Sequence, residues 1–241
     1  MTNSPRVARQ LRDEILTGRY RAGDRLPSER ELVQRLGIHR GAIREGLRAL
    51  EQLGLIQIHP GGARVCPLHE ASLDIIGPLL DLQDPPDPQL VRQVLEIDAV
   101  LFATAVRLSV EQDDHETIRQ ARALLAKVAA ATDEAGYFAA EETLVNFVVE
   151  ACGNLPLRLA RRALKIQFWD RLQEAGLALR APAALLLPLI QQLDKALETR
   201  DARAASKLVN SLSQVHREQI VKELEHAHAR ILRDSLPRDL Q

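Results

Sequence analysis

The stretch Pro27-Ser28-Glu29-Arg30-Glu31-Leu32 constrains the fold of this chain more than any other. A serine hydroxyl accepts from the backbone N–H three residues on, and a glutamate there reaches back to the serine N–H. Ser28 and Glu31 are so spaced, which predicts a capping box opening a helix. Gly37 closes that helix after a short run, because glycine takes the left-handed backbone favoured at a helix C-terminus. Upstream, Val7, Leu11, Ile15 and Leu16 recur at helical spacing, and Thr17-Gly18-Arg19-Tyr20 ends that helix before a turn around Gly23. Downstream, a third helix turns Ile43, Leu47, Leu50 and Leu53 inward and spaces Arg40, Arg44 and Arg48 four apart on another face. A short helix held between two longer ones in this way is a helix-turn-helix. After Gly54, Leu55-Ile56-Gln57-Ile58 reads as a strand, Pro60-Gly61-Gly62 as a tight turn and Ala63-Arg64-Val65 as the returning strand, a β-hairpin or wing.

Charge separates this unit from the rest. Residues 1–66 hold 12 Arg, no Lys and 7 acids, a balance of +5, whereas the remaining chain holds 20 basic and 26 acidic residues, a balance of −6. A basic small unit joined to an acidic larger one suits a polyanion partner for the first and a different partner for the second. The plainer alternative is a small packed unit whose arginines are merely solvated. Helix lengths, turn glycines and an arginine row on the third helix together favour nucleic acid.

The segment "GRYRAGDRLPSERELVQRLGIHRGAIREGLRALEQLGLI" resembles the winged-helix domain of the GntR family of bacterial transcription regulators, and the remainder resembles the all-helical effector domain of the FadR-like subfamily. The resemblance implies a homodimer whose two winged helices read a short inverted repeat in double-stranded DNA. Arg40, in the first turn of the third helix, is then placed to bond a guanine edge. Arg30 and Arg44 would contact phosphate or base edges. His39, Gly41 and Ala42 occupy the helix start, with Ala42 placed for a thymine methyl and Gly41 lacking the hydroxyl the family often carries there. His59, Gly61, Gly62 and Arg64 form the wing that approaches the minor groove. Arg35 and Arg48 are expected to be solvated or to face phosphate.

Beyond Cys66-Pro67, the run Asp84-Pro85-Pro86-Asp87-Pro88 stops the helix expected around 73–82, since prolines at that density exclude helix. Residues 67–88 therefore read as a linker with a short helix. Helical spacing then predicts helices over 89–109, 112–131, 134–152, 155–178, 182–199 and 201–234, with no convincing strand. The fold class is mainly α: a winged helix-turn-helix over 1–66, then an antiparallel bundle of six to seven helices over 89–241 with a central cavity.

FadR-like proteins commonly hold a metal in that cavity. Aligned on Ala151-Cys152-Gly153-Asn154 and on "ETRDARAA", the family's four ligand positions fall on Glu141, Val145, Ile190 and Leu212. One carboxylate and three aliphatics cannot hold a transition metal, so neither metal nor other cofactor is expected. Where the family has an Arg and a Glu, this chain has Asp98 and Phe102, which implies that an anion partner has gone as well. A small, largely apolar effector, of fatty-acyl type by analogy, is the implied ligand, with Trp169 as cavity wall or core. His115, His216, His226 and His228 read as surface histidines.

Cys66 and Cys152 lack any CxxC context and read as reduced thiols. No apolar run approaches a bilayer span, and the first residues lack a signal-peptide core, so a cytoplasmic, membrane-free protein is expected. No nucleophile elbow, phosphate loop, HExxH or dinucleotide fingerprint is present, which argues against an enzyme. The remaining alternative is a C-terminal domain that only dimerises around a filled core.

Overall fold

The computed structural model describes residues 3–112, 114–169, 171–172 and 180–235 of the chain. Contacts divide it into two units, Met1–Gln83 and Asp84–Gln241.

The first unit contains α1 (Asn3–Leu16), α2 (Glu29–Leu36) and α3 (Arg40–Gln52), followed by β1 (Ile56–His59) and β2 (Gly62–Val65). The capping box forms at the head of α2. The Ser28 hydroxyl accepts from the Glu31 N–H at 3.3 Å, and the Glu31 carboxylate accepts from the Ser28 N–H at 2.7 Å. Hydrogen bonds from the Ser28 hydroxyl and then its N–H hold the Glu31 carboxyl below its ordinary value. Gly37 closes the helix at φ 66°, its N–H donating to the Val33 carbonyl.

Val7, Leu11 and Ile15 of α1 pack with Ile43, Leu47 and Leu50 of α3 in one core. The two helices approach at Gly46, where a Cβ would stand 2.7 Å from Val7 Cγ1 and 3.2 Å from the Ala8 nitrogen. Arg35 is exposed, as expected, and is also tied down. Its guanidinium donates to the Tyr20 hydroxyl and to Glu14 Oε2, both at 2.9 Å, and so braces α2 against α1 and the turn after it. Arg48 is exposed, with Glu45 3.6 Å away.

The hairpin pairs antiparallel from Ile56 opposite Val65 to His59 opposite Gly62. The turn between α1 and α2 joins the outer side of β2. Leu26 N–H donates to the Ala63 carbonyl at 2.9 Å, and Val65 N–H donates to the Asp24 carbonyl at 3.0 Å. Residues 67–83 form two 3-10 turns (Leu68–Glu70 and Leu73–Ile75) and the short α4 (Ile76–Leu80), with Ile75 and Leu79 packed on the first unit's core.

In the second unit, α5 (Pro88–Glu111) begins at the last proline of the Asp-Pro-Pro-Asp-Pro run. Proline costs nothing at a helix start, and Asp87 caps it by accepting from the Gln89 N–H at 2.9 Å. The same device recurs: Asp114 opens α6 (His115–Ala130), Asp133 opens α7 (Glu134–Ala151) and Asn154 opens α8 (Leu155–Leu164). The second bundle helix thus starts later than residue 112, because Asp114 takes the cap. Helix α8 runs on into a π-helical turn, Lys165–Trp169. Of the helix expected over 155–178, residues 170 and 173–179 lie outside the described residues. Helices α9 (Ala183–Glu198) and α10 (Ala202–Ser235) complete the bundle. Helix α10 packs along α5 and α9, and α6 packs on α7. Among the described residues the only sheet is the two-stranded wing, and no helix is long and apolar enough to cross a membrane.

Gly46→Ala should lower the thermal midpoint of the first unit by an amount equivalent to about 1–3 kcal/mol, since the added methyl meets the α1 backbone as well as a side chain. Calorimetry of this variant beside Gly61→Ala, where a Cβ meets nothing within 4 Å, checks it.

Candidate nucleic-acid interface and bundle cavity

On the first unit most of the expected residues are exposed, and the structure brings Arg40 and Arg44 together. Arg30, Arg40, Gly41 and Arg44 are all exposed, as is His59 on the wing. Glu29 links the arginines: its carboxylate stands 2.6 Å from Arg40 Nε and 3.5 Å from Arg44 Nε. Both guanidiniums are thereby held by their Nε edge. The outer edge of Arg40, the one that can bond two acceptors at once, stays with an exposed side chain. His39 is the N-cap of α3, its Nδ1 accepting from the Ala42 N–H at 3.2 Å. Ala42 is a correction: its methyl is buried in the core with Ile43 and Leu47, so it is not placed to meet a base. Helical geometry sends position 42 inward once Arg40 and Arg44 point outward.

The wing tip rests on a residue the sequence reading missed. Arg25 donates to the Gly61 carbonyl, and its guanidinium lies so close to Gly62, at φ 124°, that a Cβ there would stand 3.0 Å from Arg25 Nε. Arg64 is exposed but tied back, donating to the Gly23 carbonyl at 2.9 Å. Arg25 follows the turn glycine and precedes the capping box, yet no local pattern announces that it crosses to the hairpin.

The second unit contains a cavity of about 630 Å³. Asp98 and Phe102 of α5, Glu141 and Val145 of α7, Trp169, Ile190 of α9 and Leu212 of α10 all line it. The exposed residues of the lining are Glu142, Asn146 and Glu150 on α7 and Leu155, Leu159 and Arg162 on α8, so the cavity opens between those two helices. Two ion pairs, Glu150–Arg158 and Glu142–Lys165, span that mouth. Among the described residues no group of three or more His, Cys, Asp or Glu could hold a metal ion.

Two polar clusters sit in the otherwise apolar wall. In the first, Arg161 of α8 places Nη1 2.5 Å from Asp98 Oδ2 and lies 5.4 Å from the centre of the Phe102 ring. The cavity has therefore not lost its cation, as the substitution to Asp98 implied; α8 supplies one and Asp98 engages it. Burial pushes the Asp98 carboxyl above its ordinary value, with Arg161 pulling the other way. In the second cluster, the Tyr137 hydroxyl is 3.0 Å from His216 Nε2, and His216 Nδ1 is 3.1 Å from the Leu212 carbonyl. A carbonyl only accepts, so Nδ1 carries the proton and Tyr137 donates to Nε2. His216 is thus a half-buried wall residue, which corrects its reading as a surface histidine.

Of the other three histidines, His115 and His226 are exposed, and half-buried His228 is 3.1 Å from the Pro86 carbonyl. Glu141 lines the cavity near both clusters. Burial raises its carboxyl above the ordinary value, with His216 and Arg161 lowering it and Asp98 raising it. Burial also raises the Tyr137 hydroxyl, with Glu141 adding to the effect and Arg180 opposing it.

Comparison with known proteins agrees with this geometry. Residues 3–65 match the family described as bacterial regulatory proteins, gntR family. An uncharacterised HTH-type transcriptional regulator of Mycobacterium tuberculosis is 30% identical over 171 residues, covering 69% of this chain and 68% of that protein. The fatty acid metabolism regulator protein of Edwardsiella ictaluri is 30% identical over 158 residues, covering 64% of each chain. Among solved structures, Lar, described as controlling expression of the Listeria monocytogenes agr system, shares the fold with a TM-score of 0.53 at 14% identity, over 92% of this chain and 98% of that one.

The raised Glu141 carboxyl has a consequence for stability. Its folded form prefers the proton, so its contribution is present below the unfolded carboxyl value and is lost as pH rises through the folded one. Glu141→Gln should therefore raise the melting temperature of the second unit at about pH 7 and change it little at about pH 3.5. Scanning calorimetry across that range checks it; a lower midpoint at neutral pH would contradict the assignment.

Proposed function

The chain belongs to the gntR family of bacterial regulatory proteins and is a DNA-binding transcription regulator, not an enzyme, and from that premise we propose how its two units divide the work. Residues 1–66 bind double-stranded DNA, residues 67–88 link, and residues 89–241 dimerise and bind a small effector. Two copies related by a two-fold axis read a short inverted repeat, as isologous dimers do. Arg40 reads a guanine in the major groove while Arg30 and Arg44 hold phosphate or a base edge. His59, Gly61, Gly62 and Arg64 approach the minor groove. The observation that carries this reading is the exposed set Arg30, Arg40 and Arg44, with Glu29 ordering two of its members.

The effector is small and largely apolar, and it occupies the cavity of the second unit without a metal. The apolar residues Val145, Ile190 and Leu212, standing at positions where the family resemblance expects metal ligands, support this. The Edwardsiella relative's name makes fatty-acyl compounds the first class to test. A cavity of about 630 Å³ favours a ligand over the alternative of a module that only dimerises around a filled core.

Duplexes selected from a random pool should converge on an inverted repeat, bound by a dimer in sedimentation and resistant to competitor DNA at physiological salt. Loss of all sequence preference in that gel-shift overturns the DNA reading. Arg40→Ala should weaken binding to the selected site by about 1–3 kcal/mol and flatten discrimination at one base pair per half-site. Arg35→Ala should instead lower the melting temperature of the first unit, because Arg35 braces its helices.

A further inference from the structure

The wing has a charged outer face as well as a tip. Residues 24–26 lie along β2 as a third strand, with Arg25 directly opposite Arg64 in an antiparallel bridge. On the other side of β2, Gln57 of β1 is also opposite Arg64. Residues directly opposite one another share a face of a sheet, so Gln57, Arg64 and Arg25 form one row across three strands. Ala63 and Val65 turn into the core, while all three members of the row are exposed. His59, two residues from Gln57, stands on the same face nearer the tip.

Like charges directly opposite across a strand pair destabilise it, and here nothing in the fold cancels them. Among the described residues neither Arg25 nor Arg64 forms an ion pair; each guanidinium donates to a backbone carbonyl instead, Arg25 to Gly61 and Arg64 Nη1 to Gly23 at 2.9 Å. The carboxylates around them are engaged elsewhere. Asp24 Oδ2 accepts from the Arg21 N–H at 2.8 Å, and Glu51 accepts from the Ile58 N–H at 2.8 Å. Glu31 is near enough to feel the charge of Arg25, but its carboxylate accepts from Ser28. A carbonyl is neutral, so it fixes the direction of a guanidinium and leaves the charge whole. Two exposed cations held in set directions meet an anion with little further loss of side-chain freedom.

We infer that this outer face is a phosphate-binding surface, with Arg25 and Arg64 gripping the sugar–phosphate strand that borders the minor groove and Gln57 completing the row. The inference rests on reading the wing tip as the part that approaches that groove. A phosphate strand bounds the minor groove on either side, so a tip directed into it brings the sheet face behind the tip against one of them. Arg25 joins the two regions physically, since its guanidinium lies against Gly61 and Gly62 at the tip. Phosphate contacts carry no base information, so the row sets affinity and register while the choice of sequence stays with the third helix.

The full-length protein is titrated against its selected duplex by fluorescence anisotropy, in KCl from about 50 to about 200 mM. Arg25→Gln and Arg64→Gln should each flatten the slope of log affinity against log salt by about 0.9 for every half-site occupied, and leave the ranking of mismatched duplexes unchanged. Arg25→Lys keeps the charge without the planar fork, so it should keep the slope. Gln57→Lys adds a cation to the row and should steepen the slope by about 0.9 per half-site, a gain that misfolding does not produce. Unchanged slopes in Arg25→Gln, Arg64→Gln and Gln57→Lys overturn the inference and leave the DNA reading standing. A slope that falls as far in Arg25→Lys as in Arg25→Gln makes Arg25 a brace for the wing and overturns its assignment to phosphate. Absence of saturable binding to any duplex by the unsubstituted protein overturns both readings.

Discussion

The contact on which the helical unit most depends is the Arg161 guanidinium held between the Asp98 carboxylate and the Phe102 ring. Both charges have left water, which costs several kcal/mol for each ion, and only their close approach offsets it. Asp98 and Phe102 are four apart on α5 and so share one face, and Arg161 reaches them from α8. The pair therefore ties the first bundle helix to the helix that borders the cavity mouth, and it keeps one patch of an apolar cavity polar. Taking away a single member would strand the other charge, a loss of about 3–5 kcal/mol.

The first unit depends on a smaller scale of interaction repeated in several places. The capping box starts α2 at a set residue, Gly37 stops it, and Gly46 lets α3 lie close against α1. Arg35, Glu14 and Tyr20 then join the helices across their surface. Glu29, the first residue of α2, is thereby put in reach of Arg40 and Arg44 on α3. An acid at the start of one helix thus orders the cations at the start of the next, so the arrangement of these exposed arginines is preset by the packing beneath them. The wing is held in the same manner, by strand-like bonds from residues 24 and 26 and by Arg25 at its tip.

Much of this was legible in the chain because its signals are local. Ser28 with Glu31, and Gly37, are each read within one turn of helix, and the structure uses them. Six cavity residues were placed through the family resemblance and Trp169 was read as cavity wall or core, and all seven border one space. What misled was the direction of single side chains. Ala42 lies beside Arg40 in sequence and yet turns into the core, and His216 sits between polar neighbours and yet reaches Tyr137. Neither outcome has a local signature, since each depends on what the opposite helix presents.

The sequence by itself determined the order of elements, the helix-turn-helix with its wing and the basic character of that unit. Those properties follow from spacing, caps and composition, which act over a few residues. Only the tertiary structure decided that the bundle encloses open space, that Arg161 supplies the cation opposite Asp98, and that the Trp169 indole is brought beside that carboxyl. Residues 98, 161 and 169 meet only after α5 and α8 have packed. Which charge neutralises which is then settled by distance in a low-dielectric interior, a quantity that no stretch of chain carries alone.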